Sequence, residues 1–254
     1  MTDQIPNIAR MYDYWLGGKD NFAADRKSAD EIVEISGGKV LRGVRLNRAF
    51  LGRAVRLAAA SGVRQFLDLG SGLPTRENVH EAAGPDSRVV YVDYDQVVAM
   101  HGHAILATSP GTGFVQADLR RPQEILEHPT VTSLLDFNEP VAVLFVSVLH
   151  FVDDAEDPAG LVATYGDALA PGSHLILSHL AKDDFPEKIA RTEQIYQGAS
   201  ARLGARTRDE ILAFFAGFDL LEPGLVGPAE WRPVDEFPST EKFAGLVGAG
   251  VKRT

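Results

Sequence analysis

The 254-residue sequence contains no cysteine. A disulfide framework, a thiol nucleophile, a cysteine-based zinc site and an iron–sulfur cluster are all excluded by that absence. Positive charge is also short: 25 Lys and Arg stand against 35 Asp and Glu, a formal net charge of −10. The acid excess argues against nonspecific partners such as nucleic acid or an anionic membrane. No apolar run approaches the roughly 18 residues of a membrane span. The opening M-T-D-Q-I-P-N has neither a basic n-region nor an apolar h-region, so a cytoplasmic protein is expected.

Several catalytic signatures are missing too. Gly37-Gly38-Lys39 is followed by Val40 and Gly17-Gly18-Lys19 by Asp20, so neither completes a P-loop. There is no Tyr-x-x-x-Lys pair of the kind short-chain dehydrogenases use. His80-Glu81 lacks a second histidine at Gly84, and Ser71 has Leu69 where a nucleophile elbow needs glycine. His101 and His103, two residues apart, would point to different sides of a helix; exposed polar residues are the simpler reading, and no metal site is expected.

What is present is rhythm. Apolar residues make up 45% of the chain, enough to fill the core of one large domain. From Val63 onward, short apolar runs alternate with helical stretches: strands are expected at 65–70, 88–93, 113–119, 141–151 and 173–179. Helices are expected at 75–83, 96–107 and 157–169. The fourth run, V-A-V-L-F-V-S-V-L-H-F, is apolar throughout, as burial on both faces of a parallel sheet requires. The alternation predicts an α/β, Rossmann-like open parallel sheet with helices on both faces. Residues 1–62 look like a helical cap, with helices at 23–35 and 45–60. Residues 63–254 look like the core, with a helical insertion at about 181–216 whose second helix opens on a Thr207–Glu210 capping box.

The chemistry centres on Asp68-Leu69-Gly70-Ser71-Gly72, where the first strand meets a helix, the place at which such sheets bind nucleotide-like ligands. Thr75 replaces the third glycine of the dinucleotide fingerprint. Asp93 ends the second strand, placed to accept hydrogen bonds from a ribose, and Asp118 is expected to end the third. Solvated strand ends or helix caps are the plain alternative for any one of these acids. Asp68 would sit close to a pyrophosphate, and an acid there suits a cation better. S-adenosylmethionine has no phosphate and carries a sulfonium and an ammonium, so the acids favour it over NAD.

At full length the chain resembles the actinobacterial S-adenosylmethionine-dependent methyltransferases long filed as a domain of unknown function. The resemblance is carried by P-N-I-A-R-M-Y-D-Y-W-L-G-G-K-D-N-F from Pro6, N-R-A-F-L from Asn47 and Q-F-L-D-L-G-S-G-L-P-T from Gln65. It continues in N-V-H-E from Asn78, V-V-Y-V-D-Y-D from Val89, A-D-L-R from Ala117 and W-R-P from Trp231. It implies a class I methyltransferase with a seven-stranded, mostly parallel sheet whose last strand is antiparallel; 218–221 and 242–252 would supply the last two strands. It also implies roles: Gly70 and Gly72 at the methionine part of the cofactor, with Asp68 and Ser71 in the same turn. Asp93 would take the ribose, Asp118 and Leu119 the adenine, and Ser147 and His150 would face the cavity.

His150 is the first candidate for a base that deprotonates a small-molecule acceptor, and His179 the second; a structural role is the alternative for both. Arg10, Tyr12, Tyr14, Trp15 and Asn21 are expected to form a lid beside the Gly17-Gly18 hinge, with Tyr14 and Asn21 reaching the cofactor. Arg191, Arg202, Arg206 and Arg208 read as the solvated face of the insertion helices. Two other functions remain open at this level: a cofactor-binding regulatory module without turnover, and a NAD-dependent oxidoreductase. Oligomeric state is not encoded in any pattern found.

Overall fold

The apolar runs of the second half of the chain become the middle of a sheet. In the computed structural model, which describes residues 4–74, 77–233 and 242–253, the strands are β1 (Gln65–Leu69), β2 (Arg88–Asp93), β3 (Thr112–Gln116), β4 (Val141–Val146), β5 (His174–Leu180), β6 (Phe218–Leu220) and β7 (Gly245–Lys252). They form one seven-stranded sheet in the order β3-β2-β1-β4-β5-β7-β6. The first five are mutually parallel, and β7 runs antiparallel to both β5 and β6.

Period-two alternation sends successive side chains of each strand to opposite faces, and here both faces are dry. Leu67, Leu69, Val143 and Phe145 join one core with Ile125 of α6 (Pro122–Leu126), Val131 of α7 (Pro129–Leu134), Tyr165 of α8 (Pro158–Asp167) and Ile211 of α10 (Arg208–Ala213). Phe66, Tyr91, Ala142 and Leu144 join the other, beneath Phe50 and Val55 of α3 (Lys39–Ala60), Val79 of α4 (Val79–Ala83) and Val98 of α5 (Gln96–His101). Trp231 closes this second core with its ring edge-on to Phe50, centroids 5.1 Å apart. Two helix starts expected from sequence are capped as the residues dictate: Asp157 accepts from Gly160 N–H, and Thr207 and Glu210 form a reciprocal capping box.

A smaller core lies above the strand ends. Met11 and Trp15 of α1 (Ile8–Trp15), Ala29 and Ile32 of α2 (Ala23–Ser36) and Val44 of α3 pack with Tyr196 of α9 (Pro186–Tyr196). Thus α3 spans both layers, covering the sheet with one end and joining the cap with the other. Three polar contacts fasten α1 across the chain. Asn7 Nδ2 donates to Asp95 at 2.6 Å, Ile8 N–H donates to the Ser200 hydroxyl at 3.2 Å, and Ser200 N–H donates to the Pro6 carbonyl at 2.8 Å. No helix among the described residues is long and apolar enough to cross a membrane.

Some boundaries differ from expectation, each for a local reason. β4 stops at Val146 because Ser147 adopts φ 58°, and residues 149–151 then form a 3₁₀ turn. β3 stops at Gln116, so Asp118 lies two residues beyond the strand. The helix expected to run to Ala107 ends at His101 and continues as a π turn over Gly102–Leu106. The helix expected from Thr75 begins at Val79; Thr75 itself lies outside the described residues.

Candidate functional site

The C-terminal ends of β1, β2 and β4 open into one cavity of about 300 Å³, roofed by α1, α2, α3 and α9. Its floor is the turn after β1. Gly70 and Gly72 both take left-handed conformations, φ 73° and 65°. A Cβ on Gly70 would lie 2.3 Å from the Val148 side chain, whereas one on Gly72 would meet nothing within 4 Å. The first glycine is therefore required by packing; the second leaves bare backbone beside open space. Gly70 and Ser71 N–H donate to the Val92 carbonyl at 2.8 and 3.1 Å, and Gly72 N–H donates to Asp93 Oδ2 at 2.9 Å. Asp93 Oδ1 accepts a further bond from Asp95 N–H at 3.0 Å, so this acid locks the turn.

Both central acids are buried, with 5% of Asp68 and 8% of Asp93 exposed. Loss of hydration pushes Asp68 up to about 7; Arg48 opposes this and Asp93 reinforces it. Burial likewise lifts Asp93 to about 6, against the lowering effect of the backbone N–H groups it accepts. No hydrogen bond from a described residue reaches the Asp68 carboxyl, and the buried Ser71 hydroxyl has no partner among the described residues either. A buried acid and a buried hydroxyl left unsatisfied at a glycine floor fit a ligand that brings cationic and polar groups.

The remaining expected residues divide. Leu119, Ser147 and His150 line the cavity with Asp68, Gly70, Ser71, Gly72 and Asp93. Asp118 does not: it turns outward to Arg120, whose Nε and Nη2 donate to its two oxygens at 2.6–3.0 Å. Partial burial raises its pKa, but the bonds and charge of Arg120 outweigh that and hold it below the ordinary value. Ala117 and Leu119, on either side, face the cavity in its place. Tyr14 and Asn21 also lie off the lining: Tyr14 donates to Asp30 at 3.1 Å and Asn21 to Asp13 at 3.0 Å. Arg10 is buried in an ion pair with Asp25 at 2.8 Å, while Tyr12 and Trp15 reach the cavity.

Sequence reasoning assigned no role to Asn47, although N-R-A-F-L was among the segments noted. Asn47 Nδ2 donates to the Tyr12 hydroxyl at 3.0 Å and to Ser147 Oγ at 2.9 Å, joining α1, α3 and the end of β4. Its neighbour Arg48 is the sole arginine on the lining among the described residues.

The two histidines belong to one buried group. Arg206 Nη1 donates to His179 Nε2 at 2.8 Å, so His179 carries its proton on Nδ1 and donates it to the Leu180 carbonyl, also at 2.8 Å. His150 Nδ1 accepts from Leu180 N–H at 3.4 Å, which leaves the proton on Nε2. Burial drives His179 down to about 4, and burial with His179 and Arg206 nearby holds His150 well below its ordinary 6.5. Arg206 is therefore no solvated surface residue. It is 5% exposed and also donates to the Leu149 and Val152 carbonyls and to Asp154, whereas Arg191, Arg202 and Arg208 are exposed as expected.

Comparison with known proteins agrees with this geometry. A family model described as S-adenosyl methyltransferase matches residues 1–254. A Thermobifida fusca protein assigned as a methyltransferase is 42% identical, with 99% of this chain and 96% of that one covered and a TM-score of 0.92. A DUF574 family protein from Streptomyces avermitilis is 34% identical over 98% of each chain, with a TM-score of 0.93. The N-methyltransferase NodS from Bradyrhizobium japonicum, solved with S-adenosyl-L-homocysteine, shares the fold at 13% identity and TM-score 0.51, over 82% of this chain and 87% of its own. No functionally curated protein matches.

Proposed function

Because the chain belongs to the S-adenosyl methyltransferase family and uses S-adenosylmethionine as its cofactor, we propose that it methylates an oxygen or nitrogen of a small organic acceptor. The observation that carries this is one cavity, partly open to solvent, with two chemically different halves. One half has the glycine floor and its buried acids. The other is apolar, walled by Val40, Phe185, Ile189 and Phe243. At about 300 Å³ it lies at the small end of ligand sites, room for compact molecules rather than for a polymer.

Bound S-adenosylmethionine supplies a methyl group on a sulfonium, already activated for in-line displacement. In our reading Asp68 would hold its ammonium group, Arg48 its carboxylate, Asp93 the ribose hydroxyls, and Ala117 with Leu119 the adenine. Asp118 acts at one remove, by fixing the loop that carries those two residues. Ser147, held by Asn47 and Ser178, fixes the wall at the end of β4. His150 stays neutral at pH 7 and offers Nε2–H to an acceptor atom, so positioning suits it better than strong base catalysis. The chain's remaining task is alignment and exclusion of water. A NAD-dependent reaction is disfavoured by the buried Asp68 carboxyl beside the place where a pyrophosphate would rest.

The test is turnover. Purified protein incubated with S-adenosylmethionine and a panel of phenols, amines and carboxylic acids should yield S-adenosylhomocysteine and a product heavier by one methylene, read by mass spectrometry. Tight cofactor binding without methyl transfer to small molecules, combined with transfer to a protein or nucleic acid, would overturn the proposal.

A further inference from the structure

His150 is held on every side but one. It sits in the 3₁₀ turn Leu149–Phe151 after β4, and the segment 204–206 clamps that turn. Gly204 N–H donates to the His150 carbonyl at 2.7 Å, and the Arg206 guanidinium donates to the Leu149 and Val152 carbonyls at 3.0 and 2.9 Å. The same guanidinium ties the turn to the end of β5 through His179 Nε2, at 2.8 Å. The ring is fixed as well: Leu180 N–H occupies Nδ1, and the rings of Phe151 and His179 stand 4.5 and 5.3 Å away, centroid to centroid. One donor is left over. His150 is 8% exposed, and its Nε2–H has no partner among the described residues. Nor is that atom walled in: among the described residues, the unpartnered side-chain atoms sealed completely are Ser71 Oγ and Trp231 Nε1. Since His150 lines the cavity, its spare N–H opens on the cavity.

A buried donor without a partner is costly, and one held this firmly suits a ligand that supplies the missing oxygen. The wall around it carries no net charge. Burial keeps both histidines neutral, and Arg206 is paired with Asp154 at 2.6 Å. That wall therefore offers one N–H and nothing to offset a buried anion. From the clamp and its free donor we infer that the methyl acceptor carries an uncharged carbonyl oxygen that receives His150 Nε2–H, and that Arg206 is a positioning residue acting through His150. The inference rests on the methyltransferase reading of the same cavity. Arg206 itself lies off the cavity lining. Its bonds decide where the donor stands, and an error of about 1 Å in an anchoring contact is enough to spoil alignment for methyl transfer. The flat guanidinium fork spans its partners, whereas a lysine ammonium, a single point, cannot reach the Leu149 and Val152 carbonyls, His179 and Asp154 together.

The experiment uses the full-length chain saturated with S-adenosylhomocysteine and isotope-labelled at its histidine ring nitrogens. The probes are acetophenone and 1-acetonaphthone, each against the isostere in which a methylene group replaces the carbonyl oxygen, α-methylstyrene and 1-isopropenylnaphthalene. Calorimetry reads affinity and NMR reads the His150 Nε2–H resonance. In the unaltered protein the ketones should shift that resonance and the olefins should not. His150→Phe should lower the ketone-to-olefin affinity ratio about three- to tenfold, the worth of one neutral hydrogen bond, while S-adenosylhomocysteine still binds. His150→Gln, which can present an N–H near the same place, should restore part of the ratio. Arg206→Lys should lower the ratio and broaden the His150 resonance, again with S-adenosylhomocysteine affinity unchanged. No binding of either ketone, a resonance unmoved by bound ketone, or a ratio unchanged in His150→Phe would each overturn the inference. Arg206→Lys with both ratio and resonance unaltered would remove Arg206 from the role. Failure of the unaltered protein to bind S-adenosylhomocysteine would instead sink the reading beneath it, so the two failures are distinguishable.

Discussion

Replacing Asp68 with asparagine should make the ligand-free protein more stable and its cofactor complex weaker. In the folded protein the Asp68 carboxyl keeps its proton up to about pH 7, against 3.8 ordinarily, chiefly because burial strips its water. The folded state therefore binds more protons than the unfolded chain between those two values, and stability falls as pH rises through that window. At about 1.4 kcal/mol per tenfold, the full cost above pH 7 is about 4 kcal/mol. Asparagine removes the charge at nearly constant shape, so about 2–4 kcal/mol should return, a rise of about 4–10 °C in melting temperature for a chain of this size. The gain should grow from pH 4 upward and level off above pH 7. Meanwhile one charge-assisted bond to the cofactor is lost, about 1.5–3 kcal/mol, or about 10- to 150-fold in affinity. Differential scanning fluorimetry from pH 4 to 8, with and without S-adenosylhomocysteine, reads both effects. A melting temperature that stays level or falls in the ligand-free variant, or ligand stabilisation that persists in full, would refute the reasoning.

Other consequences can be checked in parallel. Binding of S-adenosylmethionine at pH 6.5 should release protons, because a cation beside Asp68 and hydroxyls on Asp93 favour their ionised forms; calorimetry in buffers of different ionisation enthalpy should show it, and buffer-independent heats would count against it. Gly72→Ala forces a left-handed alanine and projects a methyl group into the open space above the floor. It should cost about 1 kcal/mol of stability and at least tenfold in cofactor affinity, and a variant with normal affinity would remove that residue from the floor. Arg206→Met leaves the Val152 carbonyl and His179 Nε2 without their donor, so urea denaturation should show a loss of about 3 kcal/mol or more; a loss under about 1 kcal/mol would contradict its role as a buried hub.

The sheet was legible because its strands announce themselves. Runs such as R-V-V-Y-V-D and V-A-V-L-F-V are rich in β-branched residues and apolar on both faces. The floor of the site was legible for the same reason: Asp68, Gly70, Gly72 and Asp93 sit where strand ends must converge. Side-chain direction was harder. Asp118 is captured by Arg120 two residues later, a local pairing that strand-end logic does not weigh. Arg206 is charged in sequence and buried in space because the partners that justify its burial, His179, Leu149 and Val152, come from distant segments. Tyr12, Asn47 and Ser147 meet only through the tertiary fold, across 35 and 100 residues of chain, so no local pattern foretells their network.

The fastening of α1 has a consequence for biosynthesis. The helix that roofs the cavity leaves the ribosome long before its anchor at Ser200, which comes 192 residues later. Contacts of such separation are the slowest to be rewarded during folding, because the closure entropy must be met first. The sheet strands β1 to β5 all emerge before Ser200 does. Met11 and Trp15 can meet Ala29, Ile32 and Val44 of the neighbouring α2 and α3 at once, whereas the clasp to Ser200 has to close over a platform already assembled. A chain stalled before residue 200 would lack that clasp, leaving α3 and the Asn7–Asp95 bond to hold the roof of the cavity to the sheet.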